Sequence, residues 1–166
     1  MAYRVIGALL MVFAASVQVR AEIFVAINTQ TQLMDVTIDG VQTYQWPVST
    51  GAEGYWTPGG TYHPFRLEAE HYSKEWDDAP MPHSIFFTEQ GHAIHGTNSV
   101  RSLGNPVSHG CVRLAPENAT ILFELVEQHG LDKTKIEIDS SWDFVEPPTG
   151  ERVPDGYARF MRIFGG

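Results

Sequence analysis

The chain has 166 residues, 43% of them hydrophobic, which is enough for a single globular domain with its own core. Fifteen glycines, ten prolines and 11% aromatic residues favour a turn-rich β domain over a helical bundle. Eleven Lys and Arg residues against twenty Asp and Glu give a formal charge of −9, and the basic residues are scattered. Nucleic acids and anionic membranes are bound through clustered cationic side chains, so this composition argues against both.

The first 21 residues are a candidate export signal. Residues 1–4 carry one positive charge, and residues 5–17 form an apolar run of thirteen. This length is typical of a signal peptide and is short for a membrane span. Small residues near Ala21 supply a cleavage position, so the sequence predicts a signal peptide over 1–21 and export of the remainder. A buried first strand or a retained anchor is the alternative interpretation.

Alternating apolar and polar residues predict several short strands in the rest of the chain. Asp39-Gly40 lies between two of them and is typical of a two-residue hairpin turn. A third segment is predicted to be extended despite its Pro64. The predicted strands cover residues 22–28, 33–38, 41–48, 61–67, 84–88, 92–95 and the neighbourhood of 136–138.

Two loops and one helix separate these strands. Residues 51–60 and 68–82 lack periodicity, and the second segment, which is polar and dotted with aromatic residues, is predicted to be a long surface loop acting as a lid. Pro116 suits the first position of a helix, and Gly130 ends a segment with apolar residues at helical spacing. The sequence therefore predicts one main α-helix over 116–129 in a mainly β domain.

Cys111 is the only cysteine, and it lies in the segment SHGCVRL at 108–114. A lone thiol cannot form an internal disulfide, and free thiols outside the cytoplasm tend to be oxidised. A glycine and a histidine beside the sulfur favour an activated nucleophile over a small buried hydrophobe. At an ordinary pKa of about 8.5 the reactive thiolate is a minor species near pH 7. A second histidine is therefore expected to hold the pair as thiolate and imidazolium.

His95, at the end of a predicted strand, is the candidate base for this thiol. It lies sixteen positions before Cys111, and a hairpin-like loop rich in Gly, Asn, Ser and Pro is expected to bring the two together. The imidazole needs an acceptor for its other nitrogen. No Asp or Glu occurs between Gly91 and Leu114, so a backbone carbonyl is the expected third member.

The residues around the thiol indicate how a substrate would be held. Gly110 permits unusual backbone angles, and its amide, with that of Cys111, is expected to face a developing oxyanion. Arg113 would share one face of an extended segment with Cys111, where a guanidinium suits a substrate carboxylate. His71 and His83 flank the predicted lid and are further candidates for substrate contact.

These segments resemble the signature of the L,D-transpeptidase family, the YkuD-type catalytic domain. The family pattern is a histidine followed, after a glycine- and asparagine-containing loop, by Ser/Thr-His-Gly-Cys. The resemblance covers residues 22–138. It is carried by HGT at 95–97 and SHGCVRL at 108–114, with further similarity in STG at 49–51, TPGGTY at 57–62 and APMP at 79–82.

The resemblance implies a β-sandwich-like catalytic domain, which we assign to residues 22–145. The proline-containing segment that follows predicts a linker and tail at 146–166, for which the family offers no counterpart. It implies an exported, periplasmic cysteine enzyme that acts on peptidoglycan tetrapeptide stems and needs no metal or organic cofactor. A neighbouring stem or a wall-anchored protein would be the acceptor.

The resemblance also assigns roles by position in this sequence. Cys111 would be the nucleophile and His95 the base. The other implied roles are orientation of the base by the Gly96 carbonyl, oxyanion and site lining by His109 and Gly110, and substrate contacts by Arg113, Ser108, Thr97 and Tyr62.

Three other functions remain open. A zinc site would draw on nitrogen and sulfur ligands, and the available side chains are His92, His95, His109 and Cys111. His92 and His95 are three apart on a predicted strand, so their side chains are expected on opposite faces, which disfavours zinc. A cysteine hydrolase of the same fold, an L,D-carboxypeptidase or amidase, would let water resolve the thioester. A non-catalytic wall-binding module would not need the Cys-His pair.

Overall fold

The computed structural model describes residues 22–139, which form two main β-sheets and an α-helix around one core. The predicted signal peptide at 1–21 and the linker and tail at 146–166 lie outside the described residues. Within residues 22–139, no helix combines the length and the apolarity needed to cross a bilayer.

The larger sheet contains five strands. They are β1 (Ile23–Asn28), β2 (Leu33–Ile38), β3 (Val41–Pro47), β4 (Gly60–Tyr62) and β11 (Thr134–Asp139). Their order is β3-β2-β1-β11-β4, and β1 pairs parallel with β11 and antiparallel with β2. Every second residue of β1 is buried, because successive side chains of a strand point to opposite faces.

The predicted turn between β2 and β3 is confirmed. Asp39 and Gly40 have φ angles of +52° and +78°, the two positive values that a type I′ hairpin turn requires. Asparagine, aspartate and glycine tolerate such angles, so this short sequence determines the turn locally.

The smaller sheet contains four strands and carries both halves of the sequence motif. They are β5 (Arg66–Glu68), β8 (Ser84–Phe86), β9 (Ala93–Gly96) and β10 (Val112–Leu114), in the order β10-β9-β8-β5. β9 and β10 run parallel, with His95 opposite Arg113 in register. The chain between them is therefore a crossover that includes a 3₁₀ turn at Val100–Ser102, and the predicted hairpin-like return is wrong.

The predicted helix is confirmed as α1, Pro116–His129. Proline fits its first turn because the first N–H groups of a helix have no partner within it. Gly130, with a φ of +101°, follows the last turn. The helix packs chiefly on β9. Its buried residues recur at helical spacing and are Ala119, Leu122, Phe123 and Val126.

One hydrophobic core joins both sheets and α1. The small sheet contributes Ile94 from β9 and Val112 and Leu114 from β10. Because side chains alternate along a strand, the intervening residues of these strands lie on the face turned away from this core. Those residues are Ala93 and His95 on β9 and, on or just before β10, Arg113 and Cys111.

The segment predicted as one strand at 61–67 forms two strands in different sheets. Tyr62 ends β4 in the large sheet, and Arg66 begins β5 in the small one, with Pro64 between them. Proline has no N–H to donate to a ladder, so pairing stops there and the chain changes sheet.

The segment at 68–82, predicted to be an irregular loop, contains a two-stranded ribbon. β6 (Tyr72–Ser73) and β7 (Ala79–Pro80) pair antiparallel, and the Trp76 N–H donates to the Ser73 carbonyl at 3.2 Å in the turn between them. Neither strand buries a face, so no hydrophobic alternation revealed it in the sequence. Residues 72–80 are called the lid ribbon below.

Candidate active site

Parallel pairing of β9 and β10 places His95 and Cys111 on the same face of the small sheet. His95 lies opposite Arg113, and Cys111 directly precedes β10. Both side chains line one cleft beneath the lid ribbon, together with Arg113. The site is thus built at the edge of the sheet from two segments that are neighbours only in the folded chain.

His95 is buried, with 6% of its surface exposed. Its Nδ1 donates a hydrogen bond to the Gly96 carbonyl at 2.8 Å, the type of acceptor that the sequence predicts. With the proton on Nδ1, the neutral ring has its lone pair on Nε2. Burial lowers the pKa of His95 to about 4, although the Gly96 hydrogen bond opposes this shift. At neutral pH the imidazole is therefore uncharged and able to accept a proton.

Cys111 is half-buried, and its thiol donates a long hydrogen bond of 3.9 Å to the Gly91 carbonyl. Burial raises the pKa of this thiol, while a hydrogen bond with the Ala93 backbone and the charge of Arg113 act in the opposite direction. The hydrogen bonds of the described residues include none between this sulfur and His95.

Burial thus favours a neutral thiol and a neutral imidazole in the free protein over the expected thiolate–imidazolium pair. Residue spacing indicated that the two groups would be near each other. It did not reveal how burial would act on each group, by disfavouring the charged form of both.

The segment carrying Cys111 is fixed by two hydroxyl groups. The buried Ser108 hydroxyl donates to the Cys111 carbonyl at 2.5 Å and accepts the Gly110 N–H at 3.1 Å. The buried Thr57 hydroxyl donates to the Gly110 carbonyl at 2.9 Å and accepts the Gly51 N–H at the same distance. These bonds tie the backbone before Cys111 to the neighbouring loop.

Gly110 adopts a φ of +111°, as its predicted conformational role requires. Its N–H is already bonded to Ser108, so this amide does not point freely into the cleft as the sequence predicted. A second feature requires glycine here: a Cβ would lie 3.0 Å from the ring atoms Cδ2 and Nε2 of His92.

The lid ribbon contacts the site through aromatic rings. The Trp76 ring stacks on the His109 ring with centroids 3.7 Å apart and planes 14° apart. Tyr55 meets both rings edge-on, at 5.7 Å from Trp76 and 4.7 Å from His109. Trp76 thus lies over the residue two positions before Cys111, and the ribbon lines the cleft.

The structure brings some of the predicted substrate contacts to the cleft and leaves others outside it. Arg113 and Thr97 line the cleft, as does His109. Ser108 is 1% exposed and is engaged in the bonds described above, which makes it a positioning residue. The Tyr62 hydroxyl donates to the Gly59 carbonyl at 2.8 Å, within the turn that leads into β4. Neither of these two is among the residues that line the cleft.

The structure shows where three other histidines lie relative to the cleft, which the sequence did not determine. His71 lines the cleft and pairs with Glu68 at 2.6 Å. His83 instead packs edge-on against Phe123 of α1. His92 lies just before β9, so strand alternation does not apply to it, and it lines the same cleft as His95. The expected opposite placement of the two side chains is therefore wrong.

Among residues 22–139, no group of three or more His, Cys, Asp or Glu side chains is arranged to hold a metal ion. The zinc hypothesis needs such a group, so the geometry of these residues does not support it.

The family comparison agrees with this geometry. Residues 22–138 match the family model of the YkuD L,D-transpeptidase catalytic domain. The chain belongs to this family. The family assignment, the mainly β fold and the single main helix expected from the sequence are thus confirmed.

Curated relatives of this YkuD domain carry related names. It is 34% identical over 87 residues to the probable L,D-transpeptidase YbiS of Escherichia coli K12. The matched segment covers 52% of this chain and 25% of YbiS. It is 28% identical over 115 residues to the putative L,D-transpeptidase YqjB of Bacillus subtilis. This match covers 62% of this chain and 65% of YqjB. The chain therefore spans about a quarter of YbiS and about two thirds of YqjB.

Solved structures share the fold. An L,D-transpeptidase from Mycobacterium smegmatis superposes with a TM-score of 0.66 at 24% identity, covering 72% of this chain and 59% of that one. The structure of LdtMt1 in complex with imipenem gives a TM-score of 0.63 at 23% identity over the same shares of the two chains. An L,D-transpeptidase from Stackebrandtia nassauensis gives 0.63 at 25% identity, covering 78% of this chain and 60% of that one.

Proposed function

We propose that this YkuD domain is a cysteine-dependent L,D-transpeptidase acting on peptidoglycan stem peptides. The observation that carries the proposal is that His95 on β9 and Cys111, directly before the parallel strand β10, line the same cleft. Membership of the family supports the reaction class.

In the first half-reaction, Sγ of Cys111 attacks the carbonyl between the third and fourth residues of a tetrapeptide stem. Nε2 of the neutral His95 takes the thiol proton as the carbon–sulfur bond forms, so no thiolate has to exist beforehand. Collapse of the tetrahedral intermediate breaks the peptide bond, and His95 returns the proton to the departing amine. A thioester on Cys111 and a free D-amino acid result.

In the second half-reaction, an amine of the acceptor attacks the thioester, and His95 accepts its proton. The carbon–sulfur bond breaks and the thiol is restored. The acceptor is proposed to be the side-chain amine of a diamino acid on a neighbouring stem, or an amine of a wall-anchored protein. Arg113 is proposed to pair with a substrate carboxylate, and its position in the lining of the cleft supports this role.

These substrates lie outside the cytoplasmic membrane, so the proposed function requires export. Residues 1–21 are proposed to serve as the signal peptide that directs the protein to the periplasm.

The test uses the purified protein and a disaccharide tetrapeptide. Mass spectrometry is expected to find the tripeptide acyl group on Cys111 and the released D-amino acid in solution. Cys111→Ala should abolish both, because the chain has no other thiol. Release of the D-residue by Cys111→Ala at the wild-type rate would refute the assignment.

The products identify the acceptor in the same experiment. Cross-linked dimers indicate transfer to a neighbouring stem, whereas free tripeptide alone would indicate that water resolves the thioester and that the protein is a hydrolase.

A further inference from the structure

The site has fewer backbone donors for an oxyanion than the sequence suggested. Two amides, those of Gly110 and Cys111, were expected to stabilise the negative oxygen of the tetrahedral intermediate. The Gly110 N–H instead donates to Ser108 Oγ at 3.1 Å, and Ser108 is itself held by its bond to the Cys111 carbonyl. One of the two expected amides is therefore engaged in the free protein, and a further donor close to the sulfur would add to the stabilisation of an oxyanion.

The His92 ring occupies the space next to Gly110. A Cβ on Gly110 would lie 3.0 Å from both Cδ2 and Nε2 of His92, so the Nε2 edge of the ring directly faces the residue before the nucleophile. The ring lines the cleft, and Phe87 lies alongside it with centroids 6.2 Å apart.

The neighbours of the sulfur place the reacting carbon near the same ring. Sγ of Cys111 bonds to the Gly91 carbonyl at 3.9 Å and also interacts with the Ala93 backbone. These two residues flank His92 in sequence. A carbonyl carbon attached to this sulfur therefore forms beside the segment that carries His92.

Thr88 contacts both the backbone and the ring of His92, and its hydroxyl can set which ring nitrogen carries the proton. Its Oγ1 accepts the His92 backbone N–H at 3.1 Å and lies 2.8 Å from Nδ1. When the hydroxyl, whose oxygen already accepts one bond, donates its own proton to Nδ1, the imidazole proton is on Nε2. Burial lowers the pKa of His92, which keeps the ring neutral at pH 7. Nε2 makes no hydrogen bond to any residue from 22 to 139.

We propose that His92 is a second catalytic histidine, whose Nε2–H donates a hydrogen bond to the oxyanion formed when Cys111 attacks the substrate carbonyl. This inference rests on the proposed function. The oxygen gains negative charge as the carbon–sulfur bond forms and loses it when the carbonyl is restored. His92 transfers no proton, so it is in the same state before and after the reaction, whereas His95 carries the proton.

Two reactions of the same thiol separate this role from a structural one. Acylation by the tetrapeptide passes through an oxyanion, whereas alkylation by iodoacetamide is a direct displacement at a saturated carbon and does not. His92→Leu removes the donor and keeps a side chain of similar bulk. His92→Gln keeps an N–H near the position of Nε2. Thr88→Val removes only the hydroxyl that sets the tautomer.

We expect His92→Leu to slow single-turnover acylation by about 100-fold, the loss typical of one oxyanion donor. His92→Gln should recover at least about a tenth of the wild-type rate, and Thr88→Val should lie between wild type and His92→Leu. Alkylation by iodoacetamide should stay within about twofold of wild type in all three, because thiol reactivity there needs no oxyanion donor.

Two results would overturn the proposal. One is acylation by His92→Leu at the wild-type rate. The other is an equal loss of acylation and alkylation, which would show that His92 only positions the thiol. If the wild-type protein never forms the thioester, the proposed function itself fails. If His92→Leu does not fold, the Thr88→Val comparison decides alone, with unchanged acylation counting against the proposal.

Discussion

At the residue scale, Gly110 combines two constraints that no other residue type satisfies together. Its φ of +111° lies in a region that side-chain-bearing residues rarely adopt, and the missing Cβ leaves room for the His92 ring. Gly104 makes a useful comparison because its φ of +88° is similarly positive, yet a Cβ there would meet nothing within 4 Å.

Alanine substitutions at Gly110 and Gly104 distinguish the effect of backbone strain, which both share, from the effect of crowding, which only Gly110 has. Gly110→Ala is expected to slow acylation by about 100-fold, because a small displacement of the nucleophile or of His92 disrupts the reacting geometry. Gly104→Ala should cost only about 1–2 kcal/mol of unfolding free energy from its positive φ and leave acylation within about twofold. Single-turnover acylation and chemical denaturation of both variants test this. Equal acylation losses in the two would contradict the role given to the Gly110–His92 contact.

The pKa of His95 predicts the acid limit of activity. A base with the ordinary value of 6.5 would lose activity as the pH falls through 6.5, whereas the burial-lowered pKa of about 4 keeps His95 unprotonated well below that. The acid limb of kcat/KM for acylation should therefore have its midpoint near pH 4, in a folded protein verified by circular dichroism. A midpoint near 6.5 would show that His95 is not the buried neutral base described here.

At the element scale, aromatic contacts of Trp76 attach the lid ribbon to the site, and the closest of them is its stack on His109. Its two strands have only two residues each, and its contact with the nucleophile segment includes Trp76 on His109. Such a pair contributes about 0.5–1.5 kcal/mol, so it can hold a short ribbon over the cleft and still let it open to admit a peptide.

Removing this stack should loosen the ribbon selectively. Trp76→Leu is expected to raise the hydrogen-exchange rate of the amides at 73–79 by about 2- to 10-fold, the factor that corresponds to one aromatic contact. Amides of β9 should be unaffected. Tyr72→Leu, on the same ribbon and 57% exposed, is the matched control and should change little. Equal effects of the two substitutions would argue against the Trp76–His109 contact as the attachment.

At the scale of the whole molecule, the cleft-lining face and the core-facing side are opposite sides of the same strands. Ile94, Val112 and Leu114 anchor β9 and β10 in a core shared with the large sheet and α1, while His95 and Cys111 alternate with them toward the cleft. The buried, uncharged His95 is therefore part of the folded state's stability as well as of its chemistry.

This coupling makes unfolding free energy depend on pH. The pKa of His95 is 6.5 in the unfolded chain and about 4 in the folded chain. The contribution of His95 to the unfolding free energy is therefore fully present above pH 6.5 and is lost as the pH falls toward 4. The loss amounts to about 3 kcal/mol for a shift of this size. Chemical denaturation at pH 7 and pH 4 measures this loss. Between these two pH values, the unfolding free energy of His95→Gln should fall by about 3 kcal/mol less than that of the wild type. Identical losses would contradict the buried, neutral state of His95.

The sequence by itself determined the features that depend on neighbouring residues. The Asp39-Gly40 turn follows from the angles these two residues tolerate, and α1 follows from Pro116, Gly130 and the apolar spacing between them. The Cys111–His95 motif and the backbone-carbonyl acceptor at Gly96 were also predictable, because the spacing of chemically distinct residues limits how they can meet.

The tertiary structure alone decided the rest, because these features depend on partners distant in sequence. The parallel pairing of β9 with β10 and the change of sheet at Pro64 depend on which strand is the neighbour in the sheet. A local sequence pattern does not predict that neighbour. The hydrogen bond from the Gly110 N–H to Ser108 and the position of His92 beside Gly110 arise from packing between separate loops. Burial keeps the thiol and the imidazole uncharged, and burial is a property of the folded chain as a whole.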